Sequence, residues 1–437
     1  MRSSSSKVAA AASLGLAASL ALSGCGVGSG SGGGGNAQQT VSSTASLSGS
    51  ITFQTWSLKN ATFTPYFTSL IKAFEKLHPG TTINWIDQPG ANYPDKVTSQ
   101  VTSNSLPDVV NLPPDIAHTV AKTGGLLDLT KNDASLAQTY VASGLAAYQY
   151  KDTNSGNDSY AFPWYLGTDV NYWNKTMMAK DGVSTTDLPT TLTELIADAK
   201  IMHDHSGGKD YLMSRAPGLM DFANAGAPLL NADGTAFAFD TPAAVAVLQQ
   251  YVGAYQAGYL PPGVLTANYE GNSTLFQEQE VAWTTGSGNL IQSTETSNPS
   301  LVSSIVPSPA IGTPPLYVQG ISVSSKSKNL PLALAFSEYL TDDQNQVAFV
   351  QLAAGYEPGT KGSAGVTSTA SAVGMQSEAS AIAVKDVANG ENFTPPIWTS
   401  AMDTILNDQT ALAMTGKESA KTALDDTVNQ ANALLNQ

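Results

Sequence analysis

Hydrophobic and polar positions begin to alternate at residue 51. In "ITFQTW", Ile51 and Phe53 alternate with Thr52 and Gln54, the period-two signature of a strand with one buried face. Tyr66, Phe67, Leu70, Ile71, Phe74 and Leu77 then recur at helical spacing, and Pro79-Gly80 stops that helix. The pattern predicts a second strand at "TINWI", a polar helix over 95–104, and a third short strand at "PDVVN" (107–111). A helix over 114–122 follows, stopped by Gly124-Gly125. Strands alternating with helices predict a parallel, doubly wound α/β sheet. Ligands of such sheets sit beyond the carboxyl ends of the strands. Topology alone therefore selects Trp56, just past the first strand, and Asn111, just past the third.

From 189 to 301 the pattern is mainly helical. "TTLTELIADAKIM" and "PAAVAVLQQYVGAYQAG" are amphipathic, and the second opens with Pro242 in its first turn. Short strands return at "SSIVPSP" and "YVQGISVSS", and 329–352 reads as one helix. Near the end, Ala420, Leu424, Val428, Ala431 and Leu435 share a helical face.

The first 50 residues follow another logic. Arg2 and Lys7 precede an uncharged run from Val8 to Leu22, too short for a membrane span and suited to a secretory signal over 1–24. Cys25, the only cysteine, follows at once, so a disulfide within the chain is excluded. Residues 26–50 are mostly Gly, Ser, Thr, Ala and Gln, a flexible tether with a reach of roughly 27 Å over about 24 residues. Without the signal the basic count falls from 20 to 18 against 35 acidic residues. That balance lacks the basic footprint of a nucleic-acid binder. Arg215 is then the one remaining arginine, and scarcity of that planar fork argues against an anionic ligand.

Leu22-Ser23-Gly24-Cys25 resembles the lipobox of bacterial lipoproteins, which implies that Cys25 becomes the lipidated first residue. Burial of acyl chains, at about 0.8 kcal/mol per CH₂, would anchor the chain to the outer face of the cell membrane. Beyond the tether, the order of segments resembles the extracellular solute-binding proteins of bacterial ABC importers, the sugar-binding family that includes maltose-binding protein. The resemblance rests on "LIKAFEKLHPGTTINW", "LPDVVNLPPDIAHTVAKTGGLLDLT", "SYAFPWYLGTDVNYWNKTMMAKDG" with "LPTTLTELI", "FQEQEVAWTTGSGN", "GISVSSKSKNLPLALAFSEYLTDDQNQ" and "MTGKESAKTALDDTVNQANALL". It implies a type II periplasmic-binding-protein-like fold: two doubly wound lobes joined by crossing segments, with a sugar or oligosaccharide clamped between them. The crossings would lie near Pro163, Leu301 and Val350. One lobe would take 50–163 and 302–348, the other 164–301 and 349–437. The implied partners are the permease subunits of an importer, with the protein itself a monomer that needs no cofactor.

A neutral sugar offers flat C–H faces and a ring of hydroxyls, so its site needs aromatic plates and convergent polar groups. By resemblance, Trp56, Ser57 and Asn60 form the first binding loop, with core packing the competing role for Trp56. Asn111 and Asp115 would reach the cleft lip, although "PPD" equally suits a helix start. Trp164 and Tyr165 follow Pro163 and could face both lobes, with Asp169 further along; interlobe packing is the other role open to the aromatics. Asp221 and Phe222 lie in "APGLMDFANAGAP". Where the family often has Gly-x-Trp, this chain has Gly286-Ser287-Gly288, leaving Trp283 or Trp398 to supply a plate. Trp85, inside a strand, reads as core. Two readings compete with a sugar carrier: a carrier of a non-sugar solute such as glycerol phosphate, a polyamine or a metal, and a surface-anchored carbohydrate-active enzyme. His203 and His205 are two apart and do not share a helix face, which fits a solvated helix end better than a metal pair.

Overall fold

The computed structural model describes residues 40–41, 46–150, 153, 158–266, 269–367 and 373–435. The 1–24 signal, Cys25 and most of the 25–50 tether lie outside the described residues. Among them nine strands are found: β1 Gly49–Trp56, β2 Thr81–Gln88, β3 Val109–Leu112, β4 Phe162–Gly167, β5 Val170–Asn174, β6 Trp283–Gly286, β7 Ile305–Ser308, β8 Tyr317–Val323 and β9 Glu357–Pro358. They form two sheets, ordered β2-β1-β3-β8-β4-β9 and β6-β5-β7.

The alternation at residue 51 becomes a sheet covered on both faces. Ile51 and Phe53 face the cluster that holds Phe67, Leu70 and Phe74 of helix Thr64–Leu77 and Leu332 and Phe336 of helix Leu330–Leu340. Neighbouring strand residues turn opposite ways. Val109 joins that cluster, and Val110 and Leu112 join another with Val97, Ile116 and Val120 from helices Tyr93–Thr102 and Pro114–Lys122. Leu77, last of the helical stripe, is left outside at 63% exposure. Parallel pairing holds for β2-β1-β3 only; β8 runs antiparallel to β3 and β4, and β5 antiparallel to β6 and β7. The smaller sheet is also packed on both faces, with Trp173 and Trp283 on one side and Tyr172 and Ile305 on the other.

Three departures from the sequence pattern have local causes. The predicted 329–352 helix is two, Leu330–Leu340 and Asp343–Val350, because the Asp342 carboxylate accepts the Asn345 N–H at 2.7 Å and caps a new start. Pro163 is no crossing: it lies inside β4 where the register with β8 shifts, a place that tolerates its missing N–H. The chain passes between sheets at Thr168-Asp169 and returns between Ser308 and Tyr317, so β7 belongs to the second sheet rather than the first. Leu301 is buried in the second sheet's core, and β9 keeps the chain on the first sheet as far as Pro358, past Val350.

Candidate functional site

Beside the second sheet lies a cavity of about 280 Å³, near the lower end of the ~300–1,000 Å³ typical of ligand sites. Asn171 of β5 and Trp283 and Thr285 of β6 contribute from the sheet. Thr190, Thr191, Leu192, Thr193 and Leu195 line it at the start of helix Leu192–Ser206, where Thr191 and Glu194 form a capping box. Arg215, Met220, Asp221 and Asn224 come from and around helix Leu219–Asn224, and Asp169, Ile311 and Pro315 from the two passages between sheets.

Arg215 is held in the wall. Its guanidinium is ion-paired with Asp221 and lies 5.8 Å from the Trp283 ring centre and 5.9 Å from that of Tyr251, within cation–π range. Asp221 in turn accepts the Gly218 N–H at 2.8 Å, so the fork is braced from behind by a helix start. The other Arg215 donors have no hydrogen-bond partner among the described residues. Trp283 donates its indole N–H to Asn171 at 3.1 Å, which fixes its plane. Asp169, in the first passage, accepts the Tyr317 hydroxyl at 3.0 Å and thereby ties the first passage to the start of β8. Burial pushes the Asp169 carboxyl up from its ordinary range; hydrogen bonds from Tyr317 and Thr285 and the charge of Arg215 oppose that shift.

Next to this cavity the first sheet exposes aromatic surface. Tyr317 is 51% exposed and Tyr356 38%, enough to leave ring faces open. Both flank Gly167, where an added Cβ would lie 3.0 Å from Tyr356 and 3.9 Å from Tyr317. Tyr356 meets Tyr165 edge-on at 5.0 Å, and Trp56 lies beside the Tyr165 hydroxyl. Trp56 is half-buried with its ring 4.8 Å from Tyr93.

The residues singled out from sequence are thus divided. Asp169, Asp221 and Trp283 meet in the cavity. Asp115 and Trp398 line a different one of about 400 Å³, with Thr98, Thr119 and Asp403; Trp398 is 5% exposed and donates to Asp403 at 2.6 Å. Trp56 and Tyr165 belong to the aromatic patch. Asn60 accepts from the N–H groups of Thr62 and Phe63 and closes a turn, with exposed Ser57 in the same loop at a φ of 57°. Ser287 bonds Asn289 at 2.7 Å. Asn111 is fully buried and donates to Gln319 and to the Gly320 carbonyl, so it ties β3 to β8. Trp164, fully buried against Phe349 at 4.4 Å, and Phe222, stacked on Phe239 at 5.8 Å, offer no free face. Sequence reasoning missed Arg215, Tyr317 and Tyr356. Arg215 was visible as the lone arginine, and Tyr317 as the first residue of a strand that follows a Pro-rich link. Among the described residues, no group of three or more His, Cys, Asp or Glu is placed to hold a metal ion.

Comparison with known proteins places these features in context. The family model described as bacterial extracellular solute-binding protein matches residues 60–347. A search of curated proteins gives no match. Among solved structures, a protein assigned as an oligosaccharide periplasmic-binding protein from Synechococcus sp. MITs9220 superposes with a TM-score of 0.76 at 23% identity, covering 88% of this chain and 99% of that one. The cyclic α-maltosyl-1,6-maltose binding protein of Arthrobacter globiformis gives 0.69 at 19% identity, over 89% and 99%. The GacH receptor of Streptomyces glaucescens GLA.O, whose structures include an acarbose complex, gives 0.65 at 20%, over 90% and 99%. At such identities the likeness carries the fold.

Proposed function

Because the chain belongs to the family of bacterial extracellular solute-binding proteins, we propose that it is the capture subunit of an ABC importer for a sugar or oligosaccharide. In this reading the two sheets with their helices are lobes that divide at the passages 168–169 and 309–316, and ligand contacts made only when they close draw the molecule shut. Cys25 is the lipid anchor, residues 26–50 are the slack, and the folded body works as a monomer on the outer face of the membrane. It releases its cargo to the permease unchanged.

The observation that carries the reading is the pairing of two surfaces. A small cavity holds a braced donor fork at Arg215 and a carboxylate acceptor at Asp169, and the open Tyr317 ring is hydrogen-bonded to that carboxylate. Hydroxyl groups need such donors and acceptors, and a pyranose face needs such a ring. The named ligands of the Arthrobacter and Streptomyces neighbours are of that chemistry.

A thermal-shift and calorimetry panel of neutral mono- and oligosaccharides, sugar phosphates and polyamines tests it. A neutral sugar at 100 times its Kd is expected to add about 2.7 kcal/mol of apparent stability. Chromatography of the same sugars after incubation should show no cleavage. Response to a polyamine or phosphate alone, or turnover of any sugar, would reject the proposal.

A further inference from the structure

The ionisable residues that line the cavity are two carboxylates, Asp169 and Asp221, and one guanidinium, Arg215. An arginine in a ligand cavity ordinarily invites an anion, because its fork matches a carboxylate or phosphate. Here that capacity is already used. Asp221 pairs with Arg215 from behind and is itself fixed by the Gly218 N–H, and the Trp283 and Tyr251 rings confine the guanidinium between them. The remaining charge is Asp169, on the segment that enters β5, where it accepts the Tyr317 hydroxyl.

We propose that Asp221 is a specificity-determining residue. By neutralising Arg215 it leaves the guanidinium able to donate to hydroxyls but not to hold a net anion, while Asp169 tips the cavity toward uncharged or amino sugars and against uronates and sugar phosphates. This inference rests on the carbohydrate reading of the same cavity. It assigns distinct tasks to three residues: Arg215 donates to ring hydroxyls, Asp169 accepts from hydroxyl or ammonium groups, and Asp221 acts only through Arg215. A ligand carboxylate brought against Arg215 would meet a cation whose charge is already compensated and two carboxylates in the same small cavity.

The test is calorimetry on the full chain with sugars matched except for charge. Glucose is compared with glucuronate and glucosamine, galactose with galacturonate and galactosamine, and maltose with its terminal uronate, each at low and at physiological salt. The wild type is expected to bind a neutral member at least about tenfold more tightly than its uronate. Asp221→Asn keeps the side-chain shape and an acceptor for the Gly218 N–H but frees the guanidinium charge. It should move the neutral-to-uronate ratio by about tenfold or more toward the anion, and that gain should fade with salt. Asp169→Asn leaves the Arg215–Asp221 pair intact; it should also relax anion rejection and abolish any preference for the amino sugar. Should Asp221→Asn fail to fold, the wild-type and Asp169→Asn ratios decide. A merely structural role for Asp221 would lower all affinities together and leave the ratio unmoved. That result, or a wild type that binds a uronate as tightly as its neutral partner, overturns the inference and leaves the carbohydrate reading standing. A wild type that binds no neutral sugar removes both.

Discussion

Glu357 shows what a single side chain does to the pH dependence of this fold. It lies in β9 at 5% exposure, and burial alone pushes its carboxyl from 4.5 up to about 7. Between those values the unfolded chain has released the proton and the folded chain has kept it. The folded state then binds more protons, and stability falls as pH rises through that window. Glu357→Gln should leave stability at pH 4.5 nearly unchanged and raise it at pH 8 by about 3 kcal/mol relative to wild type, measured by urea denaturation at both pH values. Burial of this kind is hard to see in a sequence, because a two-residue strand such as β9 has no periodic signature. Asp169 and Trp283, both singled out through the family resemblance, line the cavity. Trp164 and Phe222 came from the same resemblance, and both turn inward: a matching segment does not reveal which way a side chain points. No sequence pattern marks Tyr317 and Tyr356 as open rings, whereas all six tryptophans are buried or half-buried.

At the level of elements, the apolar periodicity carried most of the information. Helices Thr64–Leu77, Pro114–Lys122 and Ala420–Leu434 and strands β1 to β3 stand where their patterns put them. What the periodicity did not show were breaks and links: an aspartate cap at 342 within the helix expected over 329–352, and a proline at a bulge rather than at a crossing. Such features depend on a partner strand or a single hydrogen bond, and neither has a periodic signature. Strand β8 carries a further constraint of this sort at Gly320. A Cβ there would lie 2.6 Å from Tyr148 and 2.8 Å from Ala161, and Tyr148 is fixed by its bond to the Leu112 carbonyl at 2.8 Å. Gly320→Ala should therefore destabilise the protein by about 1–3 kcal/mol, seen as a lower urea midpoint with an unchanged slope.

For the molecule as a whole, segment order implied two sheets with an interrupted chain path, and two sheets are found; where the path crosses was not legible. Crossing positions depend on which sheet a short strand joins, and β7 could have joined either on pattern alone. The passages at 168–169 and 309–316 are the places where a relative motion of the two sheets would be absorbed. Small-angle scattering should show a smaller radius of gyration with a bound sugar than without. Breaking the Asp169–Tyr317 bond by Tyr317→Phe should make the unliganded particle more expanded while its melting temperature stays within about 2 °C, because the bond is partly solvent-exposed.

The cavity is walled by the second sheet, its helices and the passages, without a side chain from β1, β2 or β3. A visitor can therefore settle on one partner before the other arrives. The speed of arrival is then governed by how open that first seat is, and the length of stay by how firmly the second part folds over it. Substitutions in the Trp56–Tyr165–Tyr356 patch should accordingly shorten residence and leave encounter rates nearly untouched.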